Sequence, residues 1–266
     1  MDLQNQMSSS SPAAEVEKNG TAVEAPKSPA PPAADEGDEY GLNFHNADSV
    51  VIVDPEKLEW RSSGPAAKVE RKRFFRNGPW ESGRVTSLVR YRPNASFPLH
   101  PHPEGEEILV LDGVFKDLRG DHTSGTFLLN PEGFEHQPST DEGGNLIFVR
   151  LRQYPGSSRP QKAIQTAELP WDSEGKKILY AAGEGGTDTQ FLWKVPASAL
   201  LAPVEGGREI FVVNGSFVSE FGNHPIRSWI RLPSDTGLRV EGASEDAVAL
   251  VREGAEACWR LPFQSL

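Results

Sequence analysis

The sequence predicts an all-β protein built from two copies of one antiparallel domain, and three observations carry that expectation. Apolar residues fall in short β-type runs, separated by turn chemistry, and no segment sustains a long 3.6-residue period. The chain has 25 glycines and 22 prolines among 266 residues, together with 9% aromatic residues, a composition suited to many short strands and turns. The third observation is a repeat. At an offset of 102 residues, EILVLDGVFKDLRGDH (107–122) aligns with EIFVVNGSFVSEFGNH (209–224).

The first 45 residues stand apart. Asp2, Glu15, Glu17, Glu24, Asp35, Glu36, Asp38 and Glu39 face only Lys18 and Lys27, and the stretch is rich in Ser, Ala and Pro. It has too few branched apolar or aromatic residues to build a core, so residues 1–45 are expected to be a disordered acidic tail. It lacks both the basic start and apolar block of a secretory signal and the Arg content of a transit peptide, so a cytoplasmic location is expected.

From Asp48 the pattern changes. SVVIVD (49–54), VTSLVRYR (85–92), EILVLDGVF (107–115), GTFLLN (125–130) and NLIFVRLRQY (145–154) read as strands, with NGP, RPN, GDH, PEG and DEGG between them as turns. FLWKV (191–195), EIFVVNGSF (209–217), SWIRL (228–232) and DAVALVRE (246–253) form the second set. Upstream, LEW (58–60) resembles LPW (169–171). The expected division is a domain over 46–155 and a degenerate copy over 156–266.

The net charge of −11 argues against a nucleic-acid-coating or basic membrane-binding surface. The single cysteine, Cys258, excludes an internal disulfide framework and a Cys-rich zinc module; it reads as an inert buried thiol. No apolar run is long enough for a membrane-spanning helix. Trp60, Trp80, Trp171, Trp193, Trp229 and Trp259 read as core or interface residues.

One cluster carries chemistry: His100-Pro101-His102-Pro103-Glu104-Gly105-Glu106, followed by Gly113. In a strand His100 and His102 point to one face, and Glu106 keeps that parity. Downstream lie Gly125, Pro131, Gly133 and His136. An antiparallel partner strand would bring His136 opposite the first three. Three imidazoles and one carboxylate suit Fe(II), Mn(II), Ni(II), Cu(II) or Zn(II).

The pattern HxH-x3-E-x6-G at 100–113, followed by G-x5-P-x-G-x2-H at 125–136, resembles the two motifs of the cupin superfamily. HPHPEGEEILVLDGVFKD is most similar to the cupin-like domain of the ChrR anti-sigma factors. The resemblance covers residues 45–155 and, more weakly, extends to about 255. It implies tandem cupin (double-stranded β-helix, or jelly-roll) barrels in a bicupin arrangement, with metal ligands at His100, His102, Glu106 and His136 inside the wider end of the first. Asn94 and Thr140 stand where the motifs often have Gly and Asn. ChrR anti-sigma factors also carry a helical zinc domain, where this chain has a tail without cysteine. The plan is closer to that of family members acting as dioxygenases on small diketones and hydroxylated aryl ketones.

The second copy has Ala202, Val204, Arg208 and Leu238 at the four ligand positions, so one divalent ion per chain is expected, Fe(II) or Zn(II). Glu107 has the opposite parity to Glu106 and recurs as Glu209, which favours a structural role. His122 recurs as His224 and reads as a turn or packing residue. Parity alone does not divide Arg90, Tyr91, Arg92, Phe115, Phe127, Phe148 and Arg150 between the two faces of their strands. The leading expectation is a metal-dependent oxidoreductase, dioxygenase-like, for a small oxygenated substrate; no separate catalytic base is assigned. The alternative is a zinc-binding sensor or regulatory cupin without catalysis. The partner is a small-molecule substrate or ligand, with a homodimer left open and neither nucleic acid nor membrane expected.

Overall fold

The computed structural model describes residues 48–63, 66–78, 83–183, 187–254 and Trp259. The 1–45 tail, Trp80 and Cys258 lie outside the described residues. The first half of the described chain contains β1 (Val51–Val53), β2 (Arg61–Ser63), β3 (Ala66–Asn77), β4 (Arg84–Tyr91), β5 (His100–His102), β6 (Glu106–Asp117), β7 (Gly120–Thr123), β8 (Thr126–Asn130), β9 (Phe134–His136), β10 (Asn145–Leu151) and β11 (Lys162–Gln165). The second half contains β12 (Lys176–Ala181), β13 (Thr189–Lys194), β14 (Ala199–Leu201), β15 (Arg208–Asn214), β16 (Phe217–Ser219), β17 (Gly222–His224), β18 (Trp229–Leu232), β19 (Leu238–Ala243) and β20 (Val248–Glu253). Short 3-10 turns lie at Pro55–Lys57 and Thr166–Glu168.

Each half is a jelly roll of facing sheets. The first pairs a large sheet, ordered β11-β8-β6-β10-β4-β3-β2 with β7 on β6, with the small β5-β9 sheet. The second pairs β1-β18-β15-β20-β13-β12 with β14-β19-β16-β17. The expected barrels are therefore not closed by hydrogen bonds: in the first half, β5 and β9 pair only with each other, and isolated bridges at Ser139 to Ser96 and Lys116 lace the edge. Two strands cross the expected boundary at 155/156. β1 pairs with β18 of the second sheet, and β11 pairs with β8 of the first. The described residues form one compact unit.

Strand alternation assigns the faces. On β6, Ile108 and Val110 point into the first jelly roll, where they pack with Val69, Val89, Tyr91, Phe115, Ile147 and Val149. Leu109 points the other way, into a second core built between the two large sheets. Phe148 and Phe211 stack there with centroids 4.2 Å apart, with Phe74 and Trp229 packed alongside. Phe127 and Phe148 therefore belong to the interface between halves, whereas Tyr91 and Phe115 belong to the interior.

The same interface holds a buried charge network. Arg150, fully buried, donates to Glu209 at 2.7 Å and to Glu107 at 3.0 Å. Gln190 donates to Glu107 at 2.6 Å, and Trp259 donates to Glu209 at 2.7 Å. Arg252, the counterpart of Arg150 in the repeat, donates to Asp188 and to the Gln153 carbonyl. Ions this deeply buried are tolerable only when paired on several sides. Glu107 persists in both copies because this interface uses it twice, as Glu107 and as Glu209.

Gly113 also recurs, as Gly215, and both have positive φ, at 70° and 63°. A side chain at Gly113 would begin 2.3 Å from the Gly144 carbonyl oxygen. Each glycine adjoins the irregularity where β6 meets β10 and β15 meets β20, so the repeat marks a shared backbone bend.

Candidate metal centre

Three strands supply the cluster. β5 and β9 pair antiparallel with His100 directly opposite His136, as expected of a partner strand. His100 and His102 share a face of β5. The chain then turns: the Gly105 amide donates to the His102 carbonyl at 3.1 Å, with Gly105 at φ 72°. The PEG turn at 103–105 thus separates β5 from β6, and the shared parity of His100, His102 and Glu106 does not run along one unbroken strand. Glu106 reaches the same interior space through the alternation of β6, which it opens.

One ring nitrogen each of His100, His102 and His136 lies within 4.8 Å of the others. Nε2 of His102 and Nε2 of His136 are 2.9 Å apart. Oε2 of Glu106 is 3.5 Å from both of those nitrogens and accepts a hydrogen bond from the Asn130 side chain at 3.1 Å. His100 is half-buried; His102, Glu106 and His136 are buried.

The protonation states suit a cation. Burial lowers the His102 imidazole to about 4 and also holds His100 below its ordinary value, so both rings are neutral near pH 7. Burial opposes charge on Glu106, but the facing His102 and His136 rings and the Asn130 amide outweigh it and lower its carboxyl. The Pro98 carbonyl, 2.8 Å from Nδ1 of His100, favours the tautomer that leaves Nε2 as a lone pair. Donors 2.9 Å apart would subtend about 90° at an ion with bonds of about 2.05 Å, the angle of adjacent octahedral ligands. The residues therefore fit a divalent ion with mixed imidazole and carboxylate ligation.

Asp117 stands behind His136, whose buried Nδ1 has no hydrogen-bond partner. Its Oδ1 is 3.1 Å from Nε2 of His122 and accepts from the Arg119 amide at 2.8 Å, and its Oδ2 stands 3.7 Å from Nδ1 of His136. Burial opposes its charge, but these neighbours hold the carboxyl well below the usual range. Sequence reasoning gave Asp117 no role, and His122, read as a turn or packing residue, is hydrogen-bonded to it. The repeat held a signal: Ser219 stands where Asp117 does, and its hydroxyl lies 2.7 Å from Nε2 of His224. The hydrogen-bonded pair exists in both copies, but the carboxylate only beside the three imidazoles.

The cluster lines a cavity of about 290 Å³. Its other walls are Val89, Tyr91, Phe97, Phe115, Ile147, Val149 and Leu151, with Arg71 and Arg152 as further cations. Burial raises the Tyr91 phenol, which stays protonated. Arg90 and Arg92 point away from this cavity and share Glu70.

The second jelly roll closes the corresponding space. Arg208, at the Glu106 position, donates to Glu253 at 2.6 and 2.9 Å and to the carbonyl of Ala202, which aligns with His100. Phe191, Trp193, Ile210, Val212, Phe217 and Val251 fill the interior. Among the described residues, His100, His102 and His136 are the group of this kind able to hold a metal.

Residues 48–155 match the family model described as the ChrR cupin-like domain. The fold is similar to that of a Nostoc punctiforme protein provisionally described as a dioxygenase (TM-score 0.61, 16% identity, covering 82% of this chain and 88% of that one). It is also similar to the Escherichia coli pirin YhhW, solved with nickel(II) (TM-score 0.57, 14% identity, 77% of this chain and 98% of that one). A third is Bacillus subtilis oxalate decarboxylase, a protein with Mn(II) centres (TM-score 0.52, 15% identity, 77% of each chain). No curated protein matches the sequence. No helix among the described residues is long and apolar enough to cross a membrane.

Proposed function

From the cupin fold and the ChrR-like cupin sequence of residues 48–155, we propose that the protein is a metal-dependent oxidoreductase of the dioxygenase type. Its substrate is a small oxygenated organic molecule such as a diketone or aryl ketone. His100, His102, Glu106 and His136 hold one divalent ion per chain, Fe(II) or Zn(II), with Fe(II) required for the oxidative reaction. The observation that supports this reading is the convergence of three imidazoles and one carboxylate on an apolar-walled cavity of about 290 Å³.

Each residue then has a task. When bound, the ion would act as a Lewis acid on a substrate oxygen and keep positions open beyond its four protein ligands. Glu106 offsets part of the ion's charge. Asn130 fixes the Glu106 carboxylate, and Asp117 faces the far nitrogen of His136. Val89, Ile147, Val149 and Phe115 exclude water from the organic part of a substrate. Tyr91, buried at the wall, offers a phenol hydrogen to a substrate oxygen.

The likeness of residues 48–155 to the ChrR cupin-like domain favours a second reading, a zinc-binding sensor or regulatory cupin without catalysis. Oxygen consumption separates the two. Iron-loaded protein given acetylacetone or a hydroxylated aryl ketone should take up O2 at a rate that His136→Ala abolishes. Stoichiometric zinc as purified, with no uptake after iron loading, would support the regulatory reading instead.

A further inference from the structure

The cavity is lined by two arginines with different surroundings. Arg152 donates to Glu104 at 3.3 Å. Arg71 has no hydrogen-bond or ion-pair partner among the described residues, and its Nε is buried and unpaired. Acidic partners are present nearby for other arginines of the sheet: Arg90 and Arg92 share Glu70, and Arg84 donates to Glu104.

The position is unusual for a cation. Arg71 lies on β3 opposite Val89, two residues from Val69, and both valines belong to the apolar interior. The chain thus places a permanently charged group where an aliphatic side chain would pack, in the same cavity as His100, His102 and Glu106. Arg71 is half-buried with only its Nε enclosed, so its terminal nitrogens remain available at the cavity, and their planar fork matches a carboxylate.

We propose that Arg71 binds the carboxylate of an anionic substrate whose other oxygens face the His100–His102–His136 cluster. This deepens the function proposed above and rests on it. The substrate class narrows from neutral diketones and ketones to oxo-acids: small molecules with a chelating pair of oxygens and a carboxylate beyond it.

The test compares two probes that share a diketone and differ in charge, acetylpyruvate and neutral acetylacetone, by calorimetric titration of Zn(II)-loaded protein, in which no turnover intervenes. The native protein should bind acetylpyruvate about tenfold or more tightly than acetylacetone, the scale of one charge-assisted hydrogen bond. Arg71→Leu should abolish that preference, while metal content and acetylacetone affinity stay within about twofold; Arg71→Lys should restore part of it. Equal affinity of the native protein for the two probes, or a preference that survives in Arg71→Leu, overturns the inference with the metal site intact. A native protein that takes up no metal overturns the parent reading, and the inference with it.

Discussion

Glu106 and Glu107 are consecutive in sequence and serve opposite faces of β6. Oε2 of Glu106 stands 3.5 Å from Nε2 of both His102 and His136, while Oε2 of Glu107 accepts from Arg150 at 3.0 Å. Alternation along one strand thus separates a candidate metal ligand from a buried ion pair at the interface between the large sheets by one residue. Glu106→Gln should weaken metal affinity on the order of tenfold or more, because a neutral amide oxygen replaces an anionic donor. Glu107→Gln should leave metal content unchanged and lower stability by roughly 1–3 kcal/mol. Metal lost only from the Glu107 variant would reverse the assignment.

The buried network predicts a stability effect without a metal effect. Arg150→Met removes the cation shared by Glu107 and Glu209 and leaves two buried carboxylates undercompensated. The urea midpoint should fall by an amount equivalent to about 3–5 kcal/mol, with one metal still bound. An unchanged midpoint would show that the network does not hold the two halves together.

The turn between His102 and Glu106 depends on Gly105. A side chain there would begin 2.3 Å from the Tyr154 carbonyl oxygen and 2.8 Å from that of Asn130, and φ is 72°. Gly105→Ala should cost more than about 1 kcal/mol and also weaken metal binding, because the turn sets Glu106 against the histidines. Loss of stability with native metal affinity would separate the turn from the site.

His224 gives a pH dependence away from the metal cluster. Burial lowers its folded value to about 4, against an ordinary 6.5. Between those values the unfolded chain binds the extra proton, so stability is fully present above pH 6.5 and is lost as pH falls toward 4. In His224→Gln the thermal midpoint should depend less on pH across that window. An equal slope in both proteins would contradict the assignment.

The sequence reveals the strands whose apolar residues alternate or cluster. EILVLDGVF lies in β6, NLIFVRLRQY largely in β10 and FLWKV largely in β13. It hides β3, whose KVERKRFFRN text reads as charged surface. That strand is legible only once Arg71 is seen in the cavity and Phe74 and Phe75 in the core between sheets. The crossing of β1 and β11 over the expected 155/156 boundary is equally hidden, because neither strand's residues name a partner. The His-rich motif was legible because its spacing follows strand geometry. The PEG turn at 103–105 was legible too, but the place of Asp117 beside His122 and His136 was not, since it depends on contacts between segments distant in sequence.

Metal stoichiometry tests the central claim most directly. Elemental analysis of the protein loaded with Zn(II) or Fe(II) and then desalted should give about one equivalent per chain in the native form, and little in His136→Ala, which removes one of four donors. Two equivalents per chain would contradict a ligand-free second half, and full occupancy of the His136 variant would contradict the site itself.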